Sequence, residues 1–490
     1  VVYPDDLDLL LVELELLSTG RKVFHNLHYR WMGKNHETIW INCRGRVLSD
    51  PEDGSPRYLV GCINEIGAKQ KADNVSGLLG EYSLKIFYES RSPKLPQGFL
   101  LRIGIDDFKN INESHGNEYG DYILRRTAQC IEENIGPEQS LFHIVADEFA
   151  VVDFSGGSVE MAEKLFHEIK KSIYAFIEQN QYKAVYTVSG GIVKNGDVDN
   201  SFENAMKLSE FALSEAKERG KNSCYVFEEE EYEDYLKSRT LLRQLHHAVN
   251  NGFEGFEAYF QPLVNAANGE LTGAETLLRF HSPEGGMVSP GEFIPILEES
   301  GLIIPVGRWV LRQALDACRE WQKILPEFKV NVNLSYVQVL KSRVLTDVRR
   351  IVDEFGVKPS SVCIELTESG YLEENERFDK VWNGLKEYGV LLALDDFGTG
   401  YSNLRCLSDL KPAYIKIDRS FTLKALNREY EYRLLNHIVE MSHSLGLHVC
   451  VEGIETEGEL TKAKQTEPDY IQGFLFGKPC SRAEFTQKFF

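Results

Sequence analysis

No apolar run in this chain reaches the roughly 18 residues needed to span a bilayer, and no signal-like segment opens it. No membrane segment is therefore expected within it. The sequence starts at Val1 rather than Met, so a longer parent protein is expected, and any anchor would lie upstream. Cysteine offers little either: the nine are scattered with no CxxC pair, which argues against a disulfide scaffold and a zinc site and fits a reducing cytoplasm. Positive charge is scarce, with 54 Lys and Arg against 75 Asp and Glu and a formal charge of -21. That balance argues against binding of a nucleic-acid polymer, although a local basic pocket for a small anion is compatible with it. What the chain does have is length. Its 490 residues are too many for one core and imply two to four domains.

The most informative stretch is VLLALDDFGTGYSNL, from Val390 to Leu404. Its unbroken apolar start, Val390 to Leu394, reads as a strand buried on both faces, since a half-buried strand would alternate. The strand ends in adjacent carboxylates, Asp395 and Asp396, whose repulsion is most simply relieved by a divalent cation. Gly398 and Gly400 then make a loop suited to clasping a substrate. On this stretch alone, an Asp-Gly turn with the second Asp capping a helix is the competing reading.

In chain order, residues 1–67 open with Pro4-Asp5-Asp6 and a helical stretch, Leu7 to Leu17. Strand-like runs follow at His25 to Met32, Thr38 to Arg44 and Arg57 to Glu65, an expected antiparallel meander. The order PDD, helix, LHYRW, TIWINCRGRV, DGSPRYLVGCINEI resembles the C-terminal half of a PAS sensor domain, an α+β fold. Residues 68–228 alternate strands (Phe99 to Ile105, Leu141 to Val145, Phe149 to Phe154, Ala184 to Ile192) with helices (Tyr119 to Asn134, Val159 to Gln179, Phe202 to Arg219), an α/β pattern. The stretches IDDFKNINESHGNEYGD, VADEFAVV, TVSGGI and SEAKERGKN resemble a GGDEF domain, the diguanylate cyclase fold. By that resemblance the family's hairpin glycines are Val145 and Ala146 here, and its first metal-binding Asp is Gly104. A side chain at a hairpin glycine blocks close approach of a triphosphate and disfavours positive φ. Asp147 alone is a poor holder of metal ions, so no cyclase activity is expected, and the family's RxxD product-inhibition motif is also missing. Asn112 and Asp121, which match guanine contacts, and Lys217 and Lys221, on the phosphate side, remain as candidates for regulatory GTP binding; capping of helices or turns is the alternative for Asn112 and Asp121. Residues 229–250 read as a linker helix beginning with a solvated acidic run.

From 251 to 490 eight strand-sized apolar runs recur, each ending in a polar or charged residue: AYFQP, LTGAETLLR, KVNVNLS, VCIELTE, LLALDDFG, YIKID, HVCVEGIE and YIQGF. Helical stretches such as Val306 to Lys323 and Arg433 to Leu445 lie between them. This fits a (β/α)8 TIM-type barrel with reactive groups at the C-terminal ends of its strands. Gathered on one rim would be Gln261, Glu275, Arg279, Asn333, Glu365, Glu368, Asp395, Asp396, Lys416, Glu452 and Gln472. Such an oxygen-rich set without histidine suits Mg2+ or Mn2+ and not zinc, and the residues do not choose between those two. A single buried Glu or Lys would be read as an internal salt bridge. So many on successive strand ends would not.

This segment resembles an EAL domain, a phosphodiesterase that linearises cyclic di-GMP to pGpG. The resemblance implies two metal ions per active site, held by Glu275, Asn333, Glu365, Asp395 and Asp396. It implies that Lys416 orients or activates the attacking water, that Glu452 assists at the metals, and that Glu368 holds the loop from Asp396 to Leu404, which also serves a homodimer interface. Gln261 and Arg279 match substrate contacts, and Gln472 lines the site. One departure is visible: Glu275-Thr276-Leu277 stands for the name-giving Glu-Ala-Leu, with Phe280 where Trp is common. Strand alternation points Thr276 away from the rim centre, so activity is expected to survive. The expectation is a metal-dependent cyclic di-GMP phosphodiesterase regulated by its PAS-like and degenerate GGDEF segments. The rivals are a non-catalytic cyclic di-GMP receptor and a bifunctional cyclase and phosphodiesterase.

Overall fold

The structure, a computed structural model, describes the chain apart from residues 1, 33–37, 51–54, 67–72, 74, 92–96, 182, 198–200, 368–375 and 399–403. The chain divides into two compact units, Val1–Glu233 and Asp234–Phe490. Each has its own buried cores.

The first unit begins with helix α1 (Leu7–Ser18) and the meander β1 (Phe24–Met32), β2 (Thr38–Ser49) and β3 (Pro56–Ile66), antiparallel throughout as the turn signals imply. The helix buries Leu17 and also Glu13, whose carboxylate is paired with Lys22 at 2.9 Å. Helices α2 (Glu81–Arg91), α3 (Phe108–His115), α4 (Asn117–Asn134), α5 (Val159–Gln179) and α6 (Phe202–Glu218) surround a second sheet. Its strands are β4 (Phe99–Ile105), β5 (Gln139–Val145), β6 (Glu148–Asp153), β7 (Val188–Lys194) and β8 (Cys224–Val226), in the order β5-β6-β4-β7-β8. Every residue of the central β4 is buried, so FLLRIGI is apolar apart from Arg102, whose guanidinium is paired with Glu148. Helices α2 and α3 are additions to the sequence reading. Only Ile111 of α3 is buried, so it presents almost no apolar periodicity.

Helix α7 (Glu229–Asn250) occupies the expected linker. The second unit is then a closed barrel. Its eight strands are β9 (Phe256–Asn265), β10 (Leu271–Ser282), β12 (Lys329–Asn333), β13 (Val362–Thr367), β14 (Leu391–Phe397), β15 (Tyr414–Ile417), β16 (His448–Val451) and β17 (Tyr470–Gln472). Short strands β11 (Gly286–Val288) and β18 (Cys480–Ser481) extend β10 and β9. Closure occurs because β9 pairs with both β10 and β17, and it runs antiparallel to each, while the other barrel pairs are parallel. The antiparallel β9 departs from a uniform (β/α)8 pattern. Apolar periodicity carries no information about strand direction, so the sequence could not reveal it. Between strands and outer helices, Phe260, Trp321, Phe328 and Phe485 form an aromatic wall, with Trp321 Nε1 donating to Thr486 Oγ1 at 2.9 Å.

Candidate active site

The polar ends of the barrel strands converge on one lysine. Lys416, on β15, is fully buried, and its Nζ lies 2.8 Å from Glu452, 2.9 Å from Glu365, 3.1 Å from Glu275 and 3.4 Å from Asp395. Each carboxylate comes from a different strand or the loop just beyond it. Alternation along the strands explains the meeting: Glu275, Glu365 and Lys416 point inward while their neighbours Thr276, Leu366 and Ile417 pack outward among the barrel's apolar residues.

Amide side chains complete the cluster. Asn333 Nδ2 donates to Glu275 Oε1 at 2.9 Å, and Gln472 Nε2 donates to Glu275 Oε2 at 2.7 Å and to Gln261 Oε1 at 3.1 Å. Gln261 was expected at a strand end. It sits inside β9, directly opposite Glu275, because β9 runs the other way. Asn331 is a residue the sequence reading missed: its Nδ2 donates to Glu365 Oε1 at 2.7 Å. The signal was present in KVNVNLS, where the two asparagines are two apart and so share a strand face.

Burial works against charge on every member. Glu275 is nevertheless held below the usual carboxylate range, because Lys416 and the amides of Gln472 and Asn333 outweigh its desolvation. Burial, with the neighbouring carboxylates, pushes Glu365 well up despite Lys416, and Asp395 is also raised. Lys416 is itself raised well above the usual lysine value, since the carboxylates overcome its own burial. Asp396 sits at a register shift in β14 with φ of 58°, a left-handed conformation uncommon for a non-glycine residue. Its N–H donates to Asp395 Oδ1 at 2.9 Å, and burial together with Asp395 pushes its carboxyl up to about 6. Strain of this kind costs about 1–3 kcal/mol and concentrates at functional sites.

The donor set fits hard divalent cations. Carboxylate oxygens of Glu275, Glu365 and Asp395 lie within 4.8 Å of one another. With Asp396 and Glu452, five carboxyl groups face one ammonium, an excess of acidic oxygens that suits divalent ions, since a bound cation would favour the ionised form of the carboxyls that burial raises. Gln472 Oε1, a hard amide oxygen, is buried without a hydrogen-bond partner among the described residues. Arg279 lies two alternations beyond Glu275 on β10, with its guanidinium 5.5 Å from the Tyr259 ring centroid and Nη1 donating to Leu278 O. It has no hydrogen bond to the carboxylate cluster among the described residues. Glu368, and residues 399–403 of the loop it was expected to hold, lie outside the described residues.

The cyclase-like sheet offers a contrasting arrangement at the end of β4. A Cβ placed on Gly104 would lie 2.9 Å from Lys217 Nζ and 3.2 Å from Leu213 Cδ2, so an ammonium stands beside the position where the resemblance expects a carboxylate. The buried Asp106 is consumed by the fold, accepting from Thr187 Oγ1 at 2.6 Å, Ser189 Oγ at 2.8 Å and the Asn222 N–H at 3.1 Å. Asp147 is pushed up by burial, against the pull of Lys217. Ala146 takes φ of 50° despite its side chain. The hairpin thus keeps the left-handed turn that a glycine would adopt freely, at a cost of about 1–2 kcal/mol. Lys221 is paired with Asp107 at 2.8 Å. Asn112 and Asp121 lie inside α3 and α4 and cap neither helix; Gly120 packs so closely on Asn112 that a Cβ there would lie 1.8 Å from its Oδ1.

Comparison with known proteins matches these parts separately. The EAL domain matches residues 242–479, the diguanylate cyclase GGDEF domain residues 83–223, and the PAS fold residues 1–63. The bifunctional diguanylate cyclase/cyclic di-GMP phosphodiesterase MucR of Pseudomonas aeruginosa is 29% identical over 384 residues, covering 78% of this chain and 55% of MucR. The cyclic di-GMP phosphodiesterase PdeR of Escherichia coli is 29% identical over 455 residues, covering 92% of this chain and 67% of PdeR. The solved EAL enzyme Bd1971, in its cAMP-bound form, superposes with a TM-score of 0.50 at 30% identity, over 53% of this chain and 73% of that one. The chain spans about half the length of the first curated relatives it matches.

Proposed function

From the premise that the chain belongs to the proteins joining a PAS fold, a GGDEF domain and an EAL domain in tandem, we propose that it hydrolyses cyclic di-GMP to linear pGpG in its barrel. The observation that carries this reading is the convergence of four carboxylates on Lys416 within 3.4 Å. Similarity to MucR and PdeR, both named as cyclic di-GMP phosphodiesterases, supports the same substrate.

Glu275, Asn333, Glu365, Asp395 and Asp396 would hold Mg2+ or Mn2+, two per site, with Gln472 beside them. Bound there, the cations would neutralise charge at the scissile phosphate and make a water acidic enough to attack. Lys416, anchored by its carboxylates, fixes the attacking water and keeps its own proton at neutral pH. Glu452, pushed up to about 8 chiefly by burial, is placed beside Lys416 to give a proton to the leaving ribose oxygen and to regain one from the attacking water. Arg279 meets the non-reacting phosphate, and Gln261 orients the dinucleotide beside Gln472.

In this reading the segments divide as 1–67, 68–228, 229–250 and 251–490. The cyclase-like segment makes no cyclic di-GMP and regulates the barrel, with Asn112, Asp121, Lys217 and Lys221 as the candidate GTP contacts. The protein acts as a homodimer through its barrel domain, in the cytoplasm. The test is release of pGpG from cyclic di-GMP by the purified chain with Mg2+ or Mn2+, with and without GTP. Chelator-sensitive product supports the reading, and a rate that responds to GTP supports the regulatory role. Cyclic di-GMP that binds and persists under every metal condition would make the chain a receptor instead.

A further inference from the structure

The short strand β12 lies between the strands that carry Glu275 and Glu365, and its sequence, KVNVN, supplies a donor to each. In register, Asn331 stands opposite Glu275 and Asn333 opposite Glu365. The hydrogen bonds run crosswise: Asn333 Nδ2 donates to Glu275 Oε1 at 2.9 Å, and Asn331 Nδ2 to Glu365 Oε1 at 2.7 Å. Lys416 Nζ takes the second oxygen of each, donating to Glu275 Oε2 at 3.1 Å and to Glu365 Oε2 at 2.9 Å. Both carboxylates are therefore held at both ends.

The two asparagines are not equivalent. Asn333 is exposed at the end of the strand, where an amide oxygen can reach an incoming cation. Asn331 is 7% exposed and stands two residues, about 7 Å, deeper along the strand. The two glutamates differ as well. Gln472 gives Glu275 a further donor, 2.7 Å from Oε2, whereas Asn331 and Lys416 are the only side-chain donors to Glu365 among the described residues. Glu365 is wholly buried, so solvent does not stand in for a donor that is removed.

A ligand fixed in one orientation before the ion arrives loses less freedom on binding it, and groups that orient metal ligands typically contribute about ten- to a hundredfold in affinity. We infer that Asn331 is a positioning residue for the cation site: it sets the orientation of Glu365 and so raises affinity for Mg2+ or Mn2+ without touching the ion. The family resemblance assigns Asn333 alone on this strand; Asn331 adds a role one layer below it. This inference rests on the metal ligands of the proposed function.

The experiment titrates Mn2+ calorimetrically into the nucleotide-free 490-residue chain and into its Asn331→Val and Asn331→Ala variants. Asp395→Asn, which removes a proposed ligand, identifies the heat that belongs to the barrel. Both Asn331 variants lack the donor, and valine also fills the buried space, so loss of the bond is separated from loss of packing. Each should raise the Mn2+ Kd at least about tenfold, and the Mn2+ needed for half-maximal hydrolysis of cyclic di-GMP should rise by the same factor. An unchanged Kd in either folded variant overturns the inference, because weakening confined to one of them marks a packing effect. Should Asn331→Ala fail to fold, Asn331→Val decides alone. If the unmutated chain shows no Asp395-dependent Mn2+ binding, the proposed metal site fails and takes the inference with it.

Discussion

The barrel rim and the end of the cyclase-like sheet both place a lysine among acidic residues, and the placements have opposite consequences. In the barrel, Lys416 lies within 3.4 Å of four carboxylates, so much negative charge is left for added cations to meet. At Gly104 the acids are otherwise engaged: Asp106 is bound up in hydrogen bonds, Asp147 already feels the pull of Lys217, and Lys217 stands where another acid would project. A metal ion approaching there meets an ammonium. Charge balance around the lysine, and not the presence of acidic residues as such, separates an arrangement suited to cations from one that is not.

The largest effect should come from the barrel lysine and its partners. Lys416→Ala or Glu275→Ala should lower cyclic di-GMP hydrolysis by at least about a thousandfold, roughly 4 kcal/mol of transition-state stabilisation, with the circular dichroism of the folded chain retained. A fully active Glu275→Ala variant would remove the barrel's side of the contrast. Next in size, Mn2+ should raise the thermal unfolding midpoint of the unmutated chain by several degrees, as expected for a ligand present well above its Kd. Asp395→Asn should abolish that increase, and an unchanged shift would place the cation elsewhere.

Smaller effects should follow from two side chains that replace the residues the family resemblance expects. Thr276 is 1% exposed and its hydroxyl has no hydrogen-bond partner among the described residues, so Thr276→Val should stabilise the chain by about 1 kcal/mol in denaturant titration. Thr276→Ala should change kcat/KM by less than about tenfold, since the residue faces away from Glu275. Ala146→Gly should stabilise by up to about 1 kcal/mol, because it relieves the positive φ of 50°. The smallest expected change is none at all: Gly104→Asp alone should yield no cyclic di-GMP from GTP, because the new carboxylate pairs with Lys217. Synthesis by that variant would mean that a single residue separates the two sites.

Much of this was legible in the chain itself. All eight barrel strands announced themselves as apolar runs ending in polar residues; in β13 to β16 this is because the strand is largely buried and its polar groups gather at the rim. Glu275, Glu365, Asp395, Lys416, Glu452 and Gln472 were readable as a set for the same reason. The direction of β9 was not, since an antiparallel strand buries the same residue types as a parallel one. Asn331 was hidden behind Asn333, the more obvious strand-end residue. The approach of Lys217 to Gly104 joins positions far apart in sequence, and only the packing of α6 on β4 brings them together.

The most direct test of the contrast is one incubation of the purified chain with Mg2+, labelled cyclic di-GMP and labelled GTP, followed by separation of the nucleotides. The account predicts loss of cyclic di-GMP to pGpG that stops in chelator, and no cyclic di-GMP derived from GTP. Persistence of cyclic di-GMP, or its formation from GTP, would contradict it.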